Sequence, residues 1–279
     1  MEKKLKILVL GSRGMLGHLV VKYFDQNVNY EVFSISRNSE NRTNHYKLDL
    51  TNFKELKTII ENLQPNFIIN CAGVLVKNSN DNVKNAILIN SYLPHFISEI
   101  IDDTCKFIHV STDCVFDGKI GSYKENDDVS PIDTYGRTKS LGEINNNNNV
   151  LTIRTSIIGL EISNHKTGLL EWFMNENGTI NGYVNDFWSG VTTLELVKII
   201  DYCMSVKWYS GVKHLAMKDK ISKYDLLVLI DNILNLKKEI VPFNSKFHDR
   251  SLKMDNLDFS NILNSNYKSM LLEYFEFNQ

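Results

Sequence analysis

The 279-residue chain is 43% hydrophobic and long enough for one large or two moderate domains, the composition of an ordinary globular protein. Its 31 basic and 33 acidic residues nearly cancel to a net charge of -2, which provides no overall field for attracting nucleic acid or an anionic membrane. We therefore expect no nucleic-acid partner and no membrane association, so any anionic ligand must be held by local groups.

The cysteine pattern does not suggest a disulfide framework or a metal site. The four cysteines lie in apolar segments without close pairs, at Cys71, Cys105, Cys114 and Cys203. The apolar run after the N-terminal lysines is too short for a secretory signal and ends at Gly11. We expect buried thiols, no metal and a cytoplasmic location.

A glycine-rich turn follows the first predicted strand. The run Leu5 to Leu10 is almost continuously apolar, which is typical of a parallel strand buried on both faces. It leads into Gly11-Ser12-Arg13-Gly14-Met15-Leu16-Gly17 and then into apolar residues at helical spacing. Such glycines let the backbone approach a pyrophosphate, which amides at the helix N-terminus can bind. The alternative is a turn that only lets the helix pack closely on the strand, but the position after the first strand favours nucleotide binding.

The second predicted strand, Tyr30 to Ile35, indicates which dinucleotide binds. An NAD site would have Asp or Glu at its end, whereas this chain has Ser34-Ile35-Ser36-Arg37. Arg37 and Arg13 can together hold a 2'-phosphate, so we expect NADPH, with NADH as the open alternative. In the other interpretation both arginines are solvated surface residues.

Two further loops are expected along the cofactor. A short strand over His45 to Leu50 ends at Asp49, which either accepts from the adenine amine or caps the helix beginning near Asn52. The strand from Phe67 leads into the small residues Cys71-Ala72-Gly73, which permit close approach of a ligand.

A helical pattern over Val83 to Ile101 contains Asn90, a polar residue among apolar ones. We expect Asn90 either to hydrogen-bond across to the active-site loop or to be an ordinary surface asparagine.

The candidate catalytic residues are Thr112, Tyr135 and Lys139. Thr112 follows the predicted strand Phe107 to Val110, and ligands bind at the carboxyl ends of strands in open α/β sheets. In a helix over Tyr135 to Glu143, Tyr135 and Lys139 share one face. We expect the Lys139 ammonium to lower the pKa of Tyr135, and Thr112 to orient a substrate oxygen against the phenol, which suits carbonyl reduction.

The order of elements predicts an α/β fold with a doubly wound parallel sheet. Strands and helices alternate up to a sixth strand, Val150 to Arg154, after a run of asparagines. We predict a dinucleotide-binding domain over 1-157, with a return of the chain near 189-217, and a smaller substrate-binding lobe over 158-279. In that lobe we expect a helix over Leu169 to Asn175, an extended segment at Thr179 to Val184 and a helix from Thr192.

Two residues beyond the sixth strand are candidate substrate contacts. Trp188, in the predicted aromatic turn Asp186 to Gly190, either forms a wall over a base or sugar or packs in the core. Arg250 is either a phosphate ligand or a solvated arginine.

Taken together, these segments resemble the extended short-chain dehydrogenase/reductases, and within them the dTDP-4-dehydrorhamnose reductase group. The resemblance covers most of the chain and is carried by the glycine loop, by Ser111-Thr112-Asp113-Cys114-Val115-Phe116-Asp117-Gly118, and by Tyr135-Gly136-Arg137-Thr138-Lys139 with Gly142-Glu143. It implies a Thr/Tyr/Lys active site at Thr112, Tyr135 and Lys139, with Lys139 also holding the nicotinamide ribose, and a C-terminal lobe that binds a nucleotide-linked sugar.

These interpretations give two sets of expected binding residues. For the cofactor they are Gly11, Arg13, Gly14, Met15, Leu16, Gly17, Arg37, Asp49, Leu50, Cys71, Ala72, Gly73, Asn90, Tyr135 and Lys139. For the substrate they are Asp113, Val115, Trp188 and Arg250.

The expected activity is NADPH-dependent reduction of a 4-keto-6-deoxy nucleotide sugar in surface-polysaccharide synthesis. Cys114 stands where the rhamnose enzymes commonly have Tyr, Ile157 where an aromatic is expected, and Val191 where proline is usual. These departures leave the sugar open, including a UDP-linked N-acetylated one. The oligomeric state is likewise open, with a homodimer as one alternative.

Two other functions share these motifs. An epimerase or dehydratase would recycle bound NAD. The dehydratases have a similar site in which Asp-Glu follows the threonine, whereas here Asp113 is followed by Cys114. The second carboxylate is missing, which argues against dehydration. A non-catalytic NADP-binding regulatory subunit resembling that of methionine adenosyltransferase is disfavoured by the intact Thr112, Tyr135 and Lys139.

Overall fold

The computed structural model describes residues 4–162 and 168–278. Its strands are β1 (Leu5–Leu10), β2 (Tyr30–Ser36), β3 (His45–Lys47), β4 (Phe67–Asn70), β5 (Lys106–Val110), β6 (Val150–Arg154), β7 (Ile157–Ile158), β8 (Ile180–Tyr183), β9 (Asp186–Trp188), β10 (Val191–Thr192), β11 (Gly211–His214), β12 (Ile221–Ser222), β13 (Ile240–Phe243) and β14 (His248–Asp249). Its helices are α1 (Gly17–Asp25), α2 (Phe53–Leu63), α3 (Val76–Asp81), α4 (Val83–Ala86), α5 (Leu93–Ile100), α6 (Thr134–Leu141), α7 (Leu169–Asn175), α8 (Thr193–Ser205), α9 (Lys223–Leu234), α10 (Leu257–Ile262) and α11 (Tyr267–Phe277).

A seven-stranded sheet in the order β3-β2-β1-β4-β5-β6-β11 forms the centre of the molecule. All its neighbouring strands are parallel, so all carboxyl ends lie at one edge. The order reverses between β1 and β4, and ligands bind at such switch points. The loop after β1 and the loop after β4 therefore face one crevice.

Both faces of this sheet are covered. Ile7 and Val9 belong to one apolar cluster with residues of α1 and α8, whereas Leu8 and Leu10 belong to another with residues of α2 and α5. Because side chains alternate along a strand, consecutive residues of β1 bury on opposite sides of the sheet. The doubly wound α/β fold predicted from the sequence is confirmed.

The chain leaves this sheet after β6 and returns to it. Helix α8 packs against α1, and β11 pairs with β6 at the edge of the sheet. These two elements lie in the stretch 189-217, where the return was expected. The division into two domains itself remains a prediction.

The last part of the chain comes back to the loop that follows β5. The amide of Asp249 donates to the carbonyl of Gly118 at 2.8 Å, and the amide of Tyr123 donates to the carbonyl of Ser251 at 2.9 Å. Arg250, between these two contacts, is thereby brought next to the loop that carries Thr112.

The strand predicted over His45 to Leu50 ends at Lys47. After it, Asp49 Oδ1 accepts from the amide of Thr51 at 2.9 Å and from its hydroxyl at 2.7 Å, which makes a tight turn. The cap of α2 is Asn52, whose side chain accepts a backbone N–H of the first turn. The expectation that Asp49 caps this helix is therefore wrong.

The helix predicted over Val83 to Ile101 is interrupted by a π-helical segment, Ile87–Tyr92, between α4 and α5. Asn90 lies in this segment and is fully buried. The interpretation of Asn90 as a surface residue is wrong, and an interruption of this kind is frequent at functional sites.

The segment predicted as an aromatic turn starts as a strand, β9, and Trp188 on it lies in the core. The residue is 6% exposed, with Nε1 donating to Ser156 Oγ at 2.8 Å and the ring centroid 5.7 Å from that of Tyr267. The expectation of a Trp188 wall over the substrate is wrong because tertiary packing buries the indole.

Candidate active site

The loop after β1 is built to bring backbone amides against a ligand. Gly11 has φ of 76°, and a Cβ there would lie 2.9 Å from the backbone of Ala72, so the loop after β1 touches the loop after β4. Helix α1 begins without a side-chain cap and without an acidic residue in its first turn. Its N-terminal amides fit an anion such as a pyrophosphate.

The expected cofactor residues of this region have different environments. Gly14 is exposed, whereas Leu16 and Leu50 are buried and contribute their side chains to the core. Met15 reaches toward the chain beyond β7, since a Cβ on Gly168 would lie 2.5 Å from its Cε.

The two arginines proposed for the 2'-phosphate flank the end of β2. Arg13 is half-buried and Arg37 is exposed. Hydrogen bonds from Thr51 lower the pKa of Asp49, and the charge of Arg37 adds to this effect, so Arg37 lies near Asp49. Between the glycine loop and this strand end lies a carboxylate that the sequence analysis did not single out, Glu40.

The loop after β4 is tied to α6 by Asn90. Asn90 Oδ1 accepts from the amide of Val74 at 2.8 Å, while Nδ2 donates to the carbonyl of Val74 at 3.0 Å and to Thr138 Oγ1 at 3.1 Å. A Cβ on Gly73 would lie 3.7 Å from Asn90 Oδ1. The structure thus uses Asn90 to hold the stretch Cys71 to Gly73 beside the helix that carries Tyr135.

Helix α6 begins beside the loop after β5 because of two local features. Asp133 caps it, with Oδ1 accepting from the amide of Gly136 at 2.7 Å. A Cβ at Gly136 would lie 2.1 Å from the carbonyl oxygen of Cys114, so the glycine permits close contact between the helix and the loop after β5.

Thr112 and Tyr135 are brought together by this packing. The hydroxyl of Thr112 donates to Asp113 Oδ1 at 3.1 Å and accepts from the amide of Cys114 at 3.1 Å. Burial raises the pKa of the Tyr135 phenol and nearby Cys114 adds to the increase, whereas hydrogen bonding with Thr112 lowers it. Burial likewise raises the pKa of Asp113, opposed by the charge of Arg250.

Lys139 does not act on Tyr135 as expected. Its Nζ donates to the carbonyl of Val110 at 2.6 Å and lies 3.4 Å from His109 Nε2. Burial lowers the pKa of Lys139 to about 8. The expectation that Lys139 lowers the pKa of Tyr135 is wrong in this structure, where desolvation of the phenol dominates and raises that pKa.

The histidine beside Lys139 was not singled out from the sequence. His109 is fully buried, and its Nδ1 lies 3.1 Å from Asn70 Nδ2. Asn70 Oδ1 accepts from the amide of Ala72, so its Nδ2 must be the donor toward His109. A neutral imidazole has one acceptor nitrogen and cannot accept from both Asn70 and Lys139. The sequence signal that could have found His109 is its position as a polar residue between Ile108 and Val110 in the apolar strand β5.

Arg250 points at the loop after β5. Its side chain is 15% exposed, with Nη1 at 3.2 Å from Cys114 Sγ and Nη2 at 3.9 Å from Asp133 Oδ2. The interpretation as a solvated surface arginine is wrong.

The other expected substrate residues are placed differently. Asp113 lies in the loop after β5, close to the charge of Arg250. Val115 is fully buried in a small cluster with Phe116 and Tyr123. The Val115 side chain is thus occupied by packing, and a substrate contact by this residue, through its backbone, stays a prediction.

Two features are absent from the part of the chain that the structure describes. No group of three or more His, Cys, Asp or Glu side chains among them is arranged to hold a metal ion. None of their helices has the length and apolar character needed to cross a membrane.

Comparisons with known proteins agree with this geometry. Residues 5–256 match the family described as the RmlD substrate binding domain. A dTDP-4-dehydrorhamnose reductase of Aggregatibacter actinomycetemcomitans is 31% identical, over 81% of this chain and 78% of the relative. Methionine adenosyltransferase 2 subunit beta of Pongo abelii is 25% identical, over 83% of this chain and 72% of the relative.

The fold is also that of a solved reductase. A dTDP-4-dehydrorhamnose reductase from Bacillus anthracis, solved in complex with NADP, superposes with a TM-score of 0.82 at 19% identity, covering 98% of this chain and 99% of the other.

Proposed function

Because the chain belongs to the RmlD substrate binding domain family, we propose that it is a cytoplasmic NADPH-dependent reductase of the 4-keto group of a 4-keto-6-deoxy nucleotide sugar, acting in surface-polysaccharide synthesis. One observation carries the proposal. Thr112 and Tyr135 meet at the carboxyl end of β5, in the crevice that the glycine loop also faces.

The cofactor is held by residues around this crevice. The uncapped N-terminus of α1 binds the pyrophosphate, and the stretch Cys71 to Gly73 lies along the dinucleotide. Arg13 and Arg37 bind the 2'-phosphate, and Lys139 binds the nicotinamide ribose.

NADPH bound in this crevice would supply the hydride that C4 of the sugar accepts. Tyr135 donates its proton to the C4 oxygen, and Thr112 orients that oxygen by a hydrogen bond. A raised pKa keeps the Tyr135 phenol protonated at neutral pH and therefore able to donate.

The substrate is a dTDP- or UDP-linked sugar bound on the side of the crevice formed by Asp113 and Arg250. The mostly buried guanidinium of Arg250 offers a fixed positive charge to an anionic ligand. The rest of the nucleotide sugar contacts the lobe over 158-279. For the oligomeric state, the two alternatives are a monomer and a homodimer.

An assay of NADPH oxidation tests this function. The purified protein is incubated with NADPH and with the 4-keto products made from dTDP-glucose and from UDP-N-acetylglucosamine. We expect NADPH to be consumed in proportion to reduced product with one of the two. Tyr135→Phe serves as the control for chemistry. Product formation without NADPH consumption would instead indicate an epimerase or dehydratase.

A second candidate is favoured by the similarity to methionine adenosyltransferase 2 subunit beta. In that case the chain is a non-catalytic NADP-binding subunit. Tight NADP binding without reduction of either 4-keto sugar, together with binding to a methionine adenosyltransferase catalytic subunit, would support it.

A further inference from the structure

Glu40 occupies the space between the glycine loop and the end of β2. Its Oε1 accepts from Ser12 Oγ at 2.5 Å and lies 3.3 Å from Ser36 Oγ. The Glu40 side chain is 16% exposed, and the two serines are 2% and 7% exposed. The carboxylate is therefore a fixed, largely desolvated acceptor.

This position has a defined meaning in a dinucleotide-binding sheet. The adenosine ribose lies at the end of the second strand, where an acidic side chain accepts from its 2'-hydroxyl. The amide of Ser12 donates to the carbonyl of Ile35 at 3.1 Å, so the glycine loop and the strand end are in direct contact. Glu40, from beyond the strand, supplies the carboxylate that the strand end itself lacks.

A carboxylate held here opposes a 2'-phosphate. Two like charges brought together in a partly desolvated site repel each other and weaken binding. The segment that carries Glu40 contains the exposed residues Asn38 and Ser39, so the side chain can move outward without disturbing the core.

We propose that Glu40 is a cofactor-specificity residue of this chain. In its observed position it accepts the 2'-hydroxyl of NADH, and it must leave Ser12 and Ser36 before Arg13 and Arg37 can bind the 2'-phosphate of NADPH. Glu40 therefore lowers the affinity for NADPH relative to NADH. This inference rests on the proposed function only in that a dinucleotide binds the crevice.

The variant that tests this inference is Glu40→Gln. Glutamine keeps an acceptor for Ser12 but removes the charge. The matched control is Glu31→Gln, near the start of β2, which makes the same change in net charge away from the crevice.

The measurement is the Kd of NADP+, NAD+, adenosine 2',5'-bisphosphate and AMP for each protein, by isothermal titration calorimetry without sugar substrate. We expect Glu40→Gln to shift the ratio of affinities about tenfold toward NADP+ and the bisphosphate, which corresponds to about 1.4 kcal/mol. Glu31→Gln should leave the ratio unchanged.

The outcomes separate this inference from the proposed function. An NADP+ to NAD+ ratio that is the same in wild type and Glu40→Gln overturns the role of Glu40 while leaving the reductase proposal intact. Failure of the wild type to bind either dinucleotide overturns both.

Discussion

Glu143 accepts two hydrogen bonds from Arg154, from Nε at 2.9 Å and from Nη2 at 2.8 Å, and both side chains are 7% exposed. The same carboxylate accepts from Ser111 Oγ at 2.6 Å. Ser111 precedes Thr112, and Glu143 follows the helix of Tyr135. This buried pair therefore helps to fix the distance between Thr112 and Tyr135.

Glu143→Gln should destabilise the fold, because it leaves the Arg154 guanidinium buried without its counter-ion. We expect the free energy of unfolding to fall by about 3 kcal/mol, measured by urea denaturation. The control is Glu61→Gln in the exposed pair with Lys57, where a change below about 1 kcal/mol is expected. Equal losses in the two variants would contradict the structural role of Glu143.

Tyr135→Phe should keep cofactor affinity and lose turnover. The change removes the proton donor while leaving the ring in its packing, so we expect kcat to fall by about 100- to 10,000-fold. Steady-state kinetics and NADP+ titration measure the two effects. An unchanged kcat would remove Tyr135 from the mechanism.

Lys139 should cost stability at neutral pH. Its pKa is lowered by burial from 10.5 to about 8, so between these values the unfolded chain binds more protons than the folded one. The free energy of unfolding due to this group therefore rises with pH through that window, and the cost is fully present below it.

Lys139→Met tests this linkage. The variant should gain stability over wild type at pH 7, and the gain should shrink at pH 10, because wild type is then relieved of the cost. Urea denaturation at the two pH values gives the difference, in which other titrating groups cancel. A gain in stability that does not depend on pH would show that the pKa of Lys139 is not lowered by folding.

Asn90→Ala should loosen the loop that contains Gly73. It leaves the buried N–H of Val74 without its partner, while the carbonyl keeps only the bond from Ser79 Oγ, and we expect a loss of about 2 kcal/mol together with weaker NADP+ binding. Asn78→Ala, at an exposed position of α3, should change stability by less than about 0.5 kcal/mol. Full cofactor affinity in Asn90→Ala would argue against the loop's contact with the dinucleotide.

Trp188→Phe should affect folding and not substrate recognition. The smaller ring stays in the core but loses the bond from Nε1 to Ser156, so about 1 kcal/mol of stability should be lost with KM for the sugar unchanged. Trp172→Phe, at a position 40% exposed, is the matched control. A raised KM without a loss of stability would return Trp188 to the substrate site.

The sequence by itself determined the fold class, the family and the positions of the main loops. An apolar run before Gly11, alternating strands and helices, and the spacing from Tyr135 to Lys139 are local patterns, and local backbone preference and periodicity can be read from one chain. The family and the doubly wound sheet predicted from them are confirmed. The roles of the catalytic and binding residues remain predictions.

Tertiary structure alone decided which side chains are buried and which distant groups meet. Arg250 contacts Cys114 across 136 positions, and Glu40 belongs to no motif that would mark it. Glu143 lies in the motif that carries the resemblance, but its bonds to Arg154 and Ser111 follow from the tertiary structure. The pKa values of Tyr135 and Lys139 follow from desolvation, and burial is set by packing of the whole chain. For the same reason Trp188 and Val115, which resemble ligand contacts in the sequence, lie in the core of the protein.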